Sequence, residues 1–183
     1  LLFLLVLIVA PIVVYATSTG LPARVATHFG AGGLANGWMR HDVYLAFMLL
    51  MSTLLPLVVV VLTGFVPRIA VSQIKIANRD HWLSPARRAE TLAWLAGHAS
   101  WLGIVLTLFM VGMHLLIVRA NEVRPASLDE ALFFVLMAAF VVVLPLALLE
   151  TEAVQPQPAL LGALAWSVGV LTLGGSSLLY MMV

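Results

Sequence analysis

Long unbroken apolar runs, each about as long as a bilayer is thick, take up most of this chain and are parted by polar stretches. The runs fall at about 1–16, 43–64, 98–119, 128–149 and 159–183. A helix needs roughly 20 consecutive apolar residues to cross a bilayer. The pattern therefore predicts an all-α fold, an integral membrane helix bundle of about five transmembrane helices forming a single membrane domain over 1–183. Two connections stand out by length, an outer loop at 17–42 and a second loop at 65–97.

The ends of the runs carry helix punctuation. Asp42 can cap the second helix, and Gly64 followed by Pro67 can stop it. Ser127 and Glu130 have capping-box spacing just after Pro125. Arg119 lies in the last turn of the third run, where a cation complements the helix dipole. Pro85 after Ser84 predicts a helix starting there and running to 119, a rod of about 50 Å. The first run is short and begins at Leu1 without a Met, so residues upstream are expected to be missing. Val14 and Ala16 also fit a signal-peptide cleavage rule, but a retained first span is the expectation.

Composition agrees with the pattern. Hydrophobic residues make up 63% and charged residues 9%, against the usual half and quarter. A net charge of +1 gives no reason to expect nucleic acid as a partner. With no cysteine, disulfides and thiolate chemistry are excluded. The loop at 65–97 holds Arg68, Lys75, Arg79, Arg87 and Arg88, whereas 17–42 holds only Arg24 and Arg40. The positive-inside rule then places 65–97 and the N-terminus in the cytoplasm, in a multi-pass membrane protein. Tyr15, Trp38, Tyr44 and Tyr180 fall at one interface, and Trp82 and Trp94 near the other.

The outer loop, Leu21-Pro22 to Trp38, is rich in glycine, with Asn36-Gly37 as a turn signal. At about 26 residues it is longer than most connections, which favours a function or a folded cap. It contains no phosphate-binding glycine motif. Phe29 and Trp38 are too apolar to remain together in water, so they are expected to fold inward over the bundle. His28 would then enter a crevice near His114, and these four residues are the candidate ligand contacts. His28, His41, Asp42 and His114 also carry donor types that zinc takes, should they converge, although their spacing matches no metal motif. No cofactor is expected otherwise. No hydrolase or metalloprotease signature is present, and Asp, Glu and Lys are absent from mid-span positions.

The order Leu21-Pro22, His28-Phe29, Gly30 and Gly37-Trp38 resembles the loop signature of the SdpI-type family of bacterial membrane proteins. Asn78-Arg79-Asp80-His81-Trp82 resembles a second stretch found in some members, with Gly30 standing where the family often has Asn. The resemblance covers about a quarter of the chain. It implies a non-enzymatic, receptor-like protein connected with peptide-toxin immunity or signalling, receiving a secreted peptide outside. It also makes Asn78, Arg79, Asp80, Trp82, Arg87 and Arg88 candidate contacts for a cytoplasmic partner. The other reading is an accessory subunit whose spans pack against other membrane proteins. In both, the lipid bilayer is the first partner.

Overall fold

The computed structural model describes residues 1–65 and 79–149. Within them the chain is mostly helical, in the order α1 (Leu2–Ser18), β1 (Arg24–Phe29), β2 (Ala35–Arg40), α2 (His41–Val60), α3 (Arg79–Trp82), α4 (Arg88–Glu122) and α5 (Glu130–Leu149). A π-helical turn, Val61–Phe65, extends α2. The run at 159–183, Arg68, Lys75 and Asn78 lie outside the described residues. The four long helices match the first four apolar runs. Two of them, His41–Phe65 and Arg88–Glu122, are long and apolar enough to cross a membrane.

The all-α expectation fails at the outer loop, which folds into an antiparallel hairpin. Val25, Thr27 and Phe29 supply the β-branched and aromatic residues that suit a strand. The reversal lies at Gly30–Leu34, not at Asn36-Gly37. Gly30 N–H donates to Leu34 C=O at 2.9 Å, and Gly33 N–H to Gly30 C=O at 3.0 Å. Gly32 and Gly33 take φ of 85° and 74°, which a side chain would resist. Asn36 and Gly37 lie inside β2, where the register steps over Thr27 on one strand and Asn36 on the other. Such paired bulges keep Arg24 opposite Arg40 while letting the tip twist.

The long helix α4, 35 residues and so about 52 Å, is the element against which the others pack. Small residues allow the approach. A Cβ on Gly103 would strike Val60 of α2 and Phe3 of α1. One on Gly64 would lie 2.8 Å from Ala99 Cβ, and one on Gly112 3.0 Å from Leu136 of α5. Ala99, Gly103 and Thr107 recur four residues apart and are all buried, so they line one face of α4. Thr107 returns its hydroxyl to Gly103 C=O at 2.8 Å and leaves no polar group open there.

Three predicted helix boundaries need correction. Helix α4 starts at Arg88, because Pro85 falls in a turn where Ser84 C=O accepts from both Arg87 and Arg88 N–H. At α5 the cap is Asp129, which accepts Leu132 N–H at 3.0 Å, so the expected Ser127–Glu130 box does not form. Asp42 sits inside the first turn of α2, where it binds Arg40 through two bonds of 2.6 and 3.1 Å instead of capping.

The bundle's exterior is apolar on each of the four long helices: Ile8 and Ile12 on α1, Phe47 and Leu54 on α2, Leu108 on α4, Phe134 and Val135 on α5 are all exposed. Close packing at glycine should therefore decide stability. Gly103→Val should lower the thermal unfolding temperature, at a cost of about 1–3 kcal/mol for overpacking. Gly97→Ala, which meets open space, should be neutral or slightly stabilising. Circular dichroism melts of both variants in one detergent give the comparison.

Candidate functional site

At the hairpin end, alternate residues face opposite ways. Val25 and its partner Met39 point into the bundle, where they pack with Val14, Leu21, Tyr44 and Met48. Arg24, Arg40 and Trp38 remain on the outer face.

Docking of the hairpin depends on one side chain. The Asn121 amide accepts Ala26 N–H at 2.8 Å through Oδ1 and donates to Ala26 C=O at 3.0 Å through Nδ2. Its second amide hydrogen goes to Ile117 C=O at 2.8 Å, which fixes the rotamer. The side chain thus acts as one rung of a neighbouring strand for a residue that is fully buried. The hairpin tip is held by the α4–α5 connection. Leu128 N–H donates to Gly33 C=O at 2.8 Å and Ala35 N–H to Ala126 C=O at 3.1 Å. A Cβ on Gly33 would lie 2.5 Å from Leu128 C=O, so only glycine fits. Glu130, freed from the expected capping box, accepts Gly32 N–H at 2.9 Å.

Directly beneath lies a buried hydrogen-bonded cluster. His114 on α4 is fully enclosed, with Nδ1 2.8 Å from the Tyr44 hydroxyl and Nε2 2.8 Å from Thr17 Oγ1. The Thr17 hydroxyl donates to Val13 C=O at 2.7 Å. Its single hydrogen is thereby used, so Thr17 must accept from His114 Nε2–H. Nδ1 is then the acceptor, and Tyr44 O–H donates to it. The chain of donors runs from α2 through α4 to α1 and ends on backbone, tying three helices together. The Tyr44 and His114 rings stack with centroids 5.8 Å apart.

The predicted site residues are not brought together as expected. His28 is half-buried and hydrogen-bonds Asn36 across the hairpin, over Gly37, where a Cβ would lie 2.9 Å from His28 Cβ. It does not meet His114, whose partners come from α1 and α2. Phe29 is half-buried, and Trp38 keeps 50% of its surface exposed, so it does not fold inward over the bundle as expected. His28, His41, Asp42 and His114 do not converge, and no group of three metal-ligating side chains occurs among the described residues. Thr17 and Asn121 were not legible as functional positions. Their partners lie 97 and 95 residues away in sequence, and neither falls in a local motif.

At the other end of α4, Trp82 is buried beneath Arg87, whose guanidinium carbon lies 5.8 Å from the ring centroid. The Trp82 carbonyl accepts the Thr91 hydroxyl at 2.8 Å. Arg79 lies 3.8 Å from Asp80, and the Asp80 and Arg88 side chains are exposed. Arg87 faces Trp82. This segment is folded onto itself, with a rim of exposed charge.

No family model, curated protein or solved structure matches the chain.

Two tests separate these interactions. Asn121→Ala leaves both Ala26 groups unpaired, with a cost of about 1–3 kcal/mol for each lost buried partner. It should raise amide exchange at 24–29 while the helix content is retained. For the histidine cluster, a double-mutant cycle of Tyr44→Phe and His114→Leu should give a coupling of about 0.5–3 kcal/mol in unfolding. Additive losses would mean that the two rings stabilise independently.

Proposed function

We propose that this chain is a multi-pass protein of a bacterial cytoplasmic membrane, with five spans and a cytoplasmic N-terminus. Its role is non-enzymatic and receptor-like, of the SdpI type, and it receives a secreted peptide on the hairpin side. The observation that carries the membrane part is the inverted surface. Large apolar side chains cover the outside of all four long helices, while His114, Tyr44, Thr107, Ser18 and Ser52 are buried within. Exposed apolar area on that scale suits lipid and is a liability in water.

The receptor part is supported by the hairpin. It is anchored by Asn121, Glu130 and the 126–128 backbone, yet leaves Trp38, Arg24 and Arg40 on its outer face. A loop kept only to join two spans does not need these anchors. The Leu21-Pro22, His28-Phe29 and Gly37-Trp38 resemblance falls on this same hairpin. The exposed Phe134 and Val135 of α5 favour a second reading, an accessory subunit packing against partner helices. An accessory subunit should co-purify stoichiometrically with its complex, whereas a receptor should purify alone.

Topology provides the direct test. The chain has no cysteine, so Ala31→Cys at the hairpin tip and Ala86→Cys before α4 are single reporters at exposed positions. In intact cells an impermeant thiol reagent should label position 31 and spare position 86. The reverse pattern would sink the orientation, and labelling of neither after lysis would count against both surfaces being free.

A further inference from the structure

The ladder of the hairpin leaves a run of backbone groups on the outer edge of β2 turned away from β1. In an antiparallel ladder, residues directly opposite each other exchange both backbone bonds or neither. Ala26 gives both its groups to Asn121, so the Ala26–Trp38 pair exchanges none. His41 N–H donates to Ala23 C=O at 3.0 Å, which fits the same alternation. The N–H and C=O of Trp38, and the N–H of Arg40, therefore point away from β1. Asn121 closes the β1 edge at Ala26, Ala126 takes the N–H of Ala35 at the start of β2, and Leu128 bonds Gly33 in the turn. The Trp38–Arg40 edge finds no such partner among the described residues. Unpaired edges of this kind are templates for an added strand, and folded proteins usually blunt them.

We propose that the Trp38–Arg40 edge of β2 takes an extended peptide as a third strand. The proposal rests on the receptor reading and names its binding mode. Backbone pairing at Trp38 would supply two hydrogen bonds, and the N–H of Arg40 a third. The face that the added strand would share carries Trp38, half exposed, which favours an aromatic or β-branched residue opposite it. It also carries Arg24 and Arg40 side by side. Asp42 holds Arg40, and Arg24 has no ion pair among the described residues, so the face keeps an uncompensated positive charge. Charge complementarity selects a peptide with an acidic residue near that end.

The test uses the full chain in lipid nanodiscs and a fluorescein-labelled octapeptide of alternating Thr and Tyr with two glutamates at one end. Saturable binding by anisotropy is expected, with photocrosslinks from a central benzophenone mapping to 36–40. N-methylation of alternate peptide amides should weaken binding about tenfold or more in one parity and leave it unchanged in the other, since only one set faces β2. Arg24→Ala should weaken the acidic peptide and not a version with glutamine in place of glutamate. Equal sensitivity to both methylation patterns, or crosslinks elsewhere, would overturn the added strand. A dimer of the unliganded chain that the peptide dissociates would make a second copy the occupant and overturn the peptide. The probe is synthetic, so its failure removes this edge alone. The receptor reading falls separately, if the chain co-purifies in a fixed ratio with other membrane subunits.

Discussion

A polar group turned inward in this bundle has no water to bond, so it must find its partner on another part of the chain. An unpaired buried amide or hydroxyl costs about 1–3 kcal/mol, a large share of any protein's net stability. Among the described residues every buried side-chain nitrogen and oxygen has a partner. Much of the architecture at the hairpin end follows from that requirement. Asn121 is placed where two backbone groups of a buried strand residue would otherwise be orphaned. His114, with two ring nitrogens to satisfy, draws Thr17 from α1 and Tyr44 from α2. Each solution fixes the relative position of elements far apart in sequence.

Helix contact itself has a different source. In the lipid surroundings proposed for this bundle, burial of Leu or Val against another helix would gain little, and close backbone approach would matter more. Gly64, Gly103 and Gly112 bring α2, α1 and α5 onto α4 at distances that a methyl group would prevent. These three contacts occupy the middle of α4, while the hydrogen-bonded cluster sits toward its hairpin end. The helix is thus tied by packing in its middle and by directional bonds at one end.

The first four apolar runs were legible because their signal is length and composition, which need no partner. What could not be read was anything set by contact. Asn36-Gly37 has the sequence of a turn, but the hairpin reverses earlier, since Gly33 is the residue with room to pass Leu128. Ser127 and Glu130 have capping-box spacing, yet the pull of Gly32 N–H takes Glu130 away and Asp129 caps instead. His114 was legible as an unusual residue in a span, but not its partners, because Thr17 and Tyr44 look like an ordinary helix end and an interfacial anchor. His28 suggested a ligand contact and turned out to be occupied by Asn36 on the facing strand. The strands themselves were obscured by the glycines between them, which read as loop.

The hairpin's rigidity and its open edge belong together. A strand added to a floppy loop must first order it, at roughly 1–2 kcal/mol of backbone entropy per residue. Here that ordering is already done: Asn121 fixes the far strand, Glu130 and the 126–128 backbone fix the tip, and Val25 and Met39 seat the inner face in the core. An incoming extended segment would meet donors and acceptors already in register, and would pay only for its own ordering. With that ordering done in advance, even a surface this small, one short edge with Trp38 and two arginines beside it, would be enough to hold the proposed peptide. They also locate where that ability would be lost, since Asn121 touches no ligand and yet fixes β1, against which β2 presents its free edge.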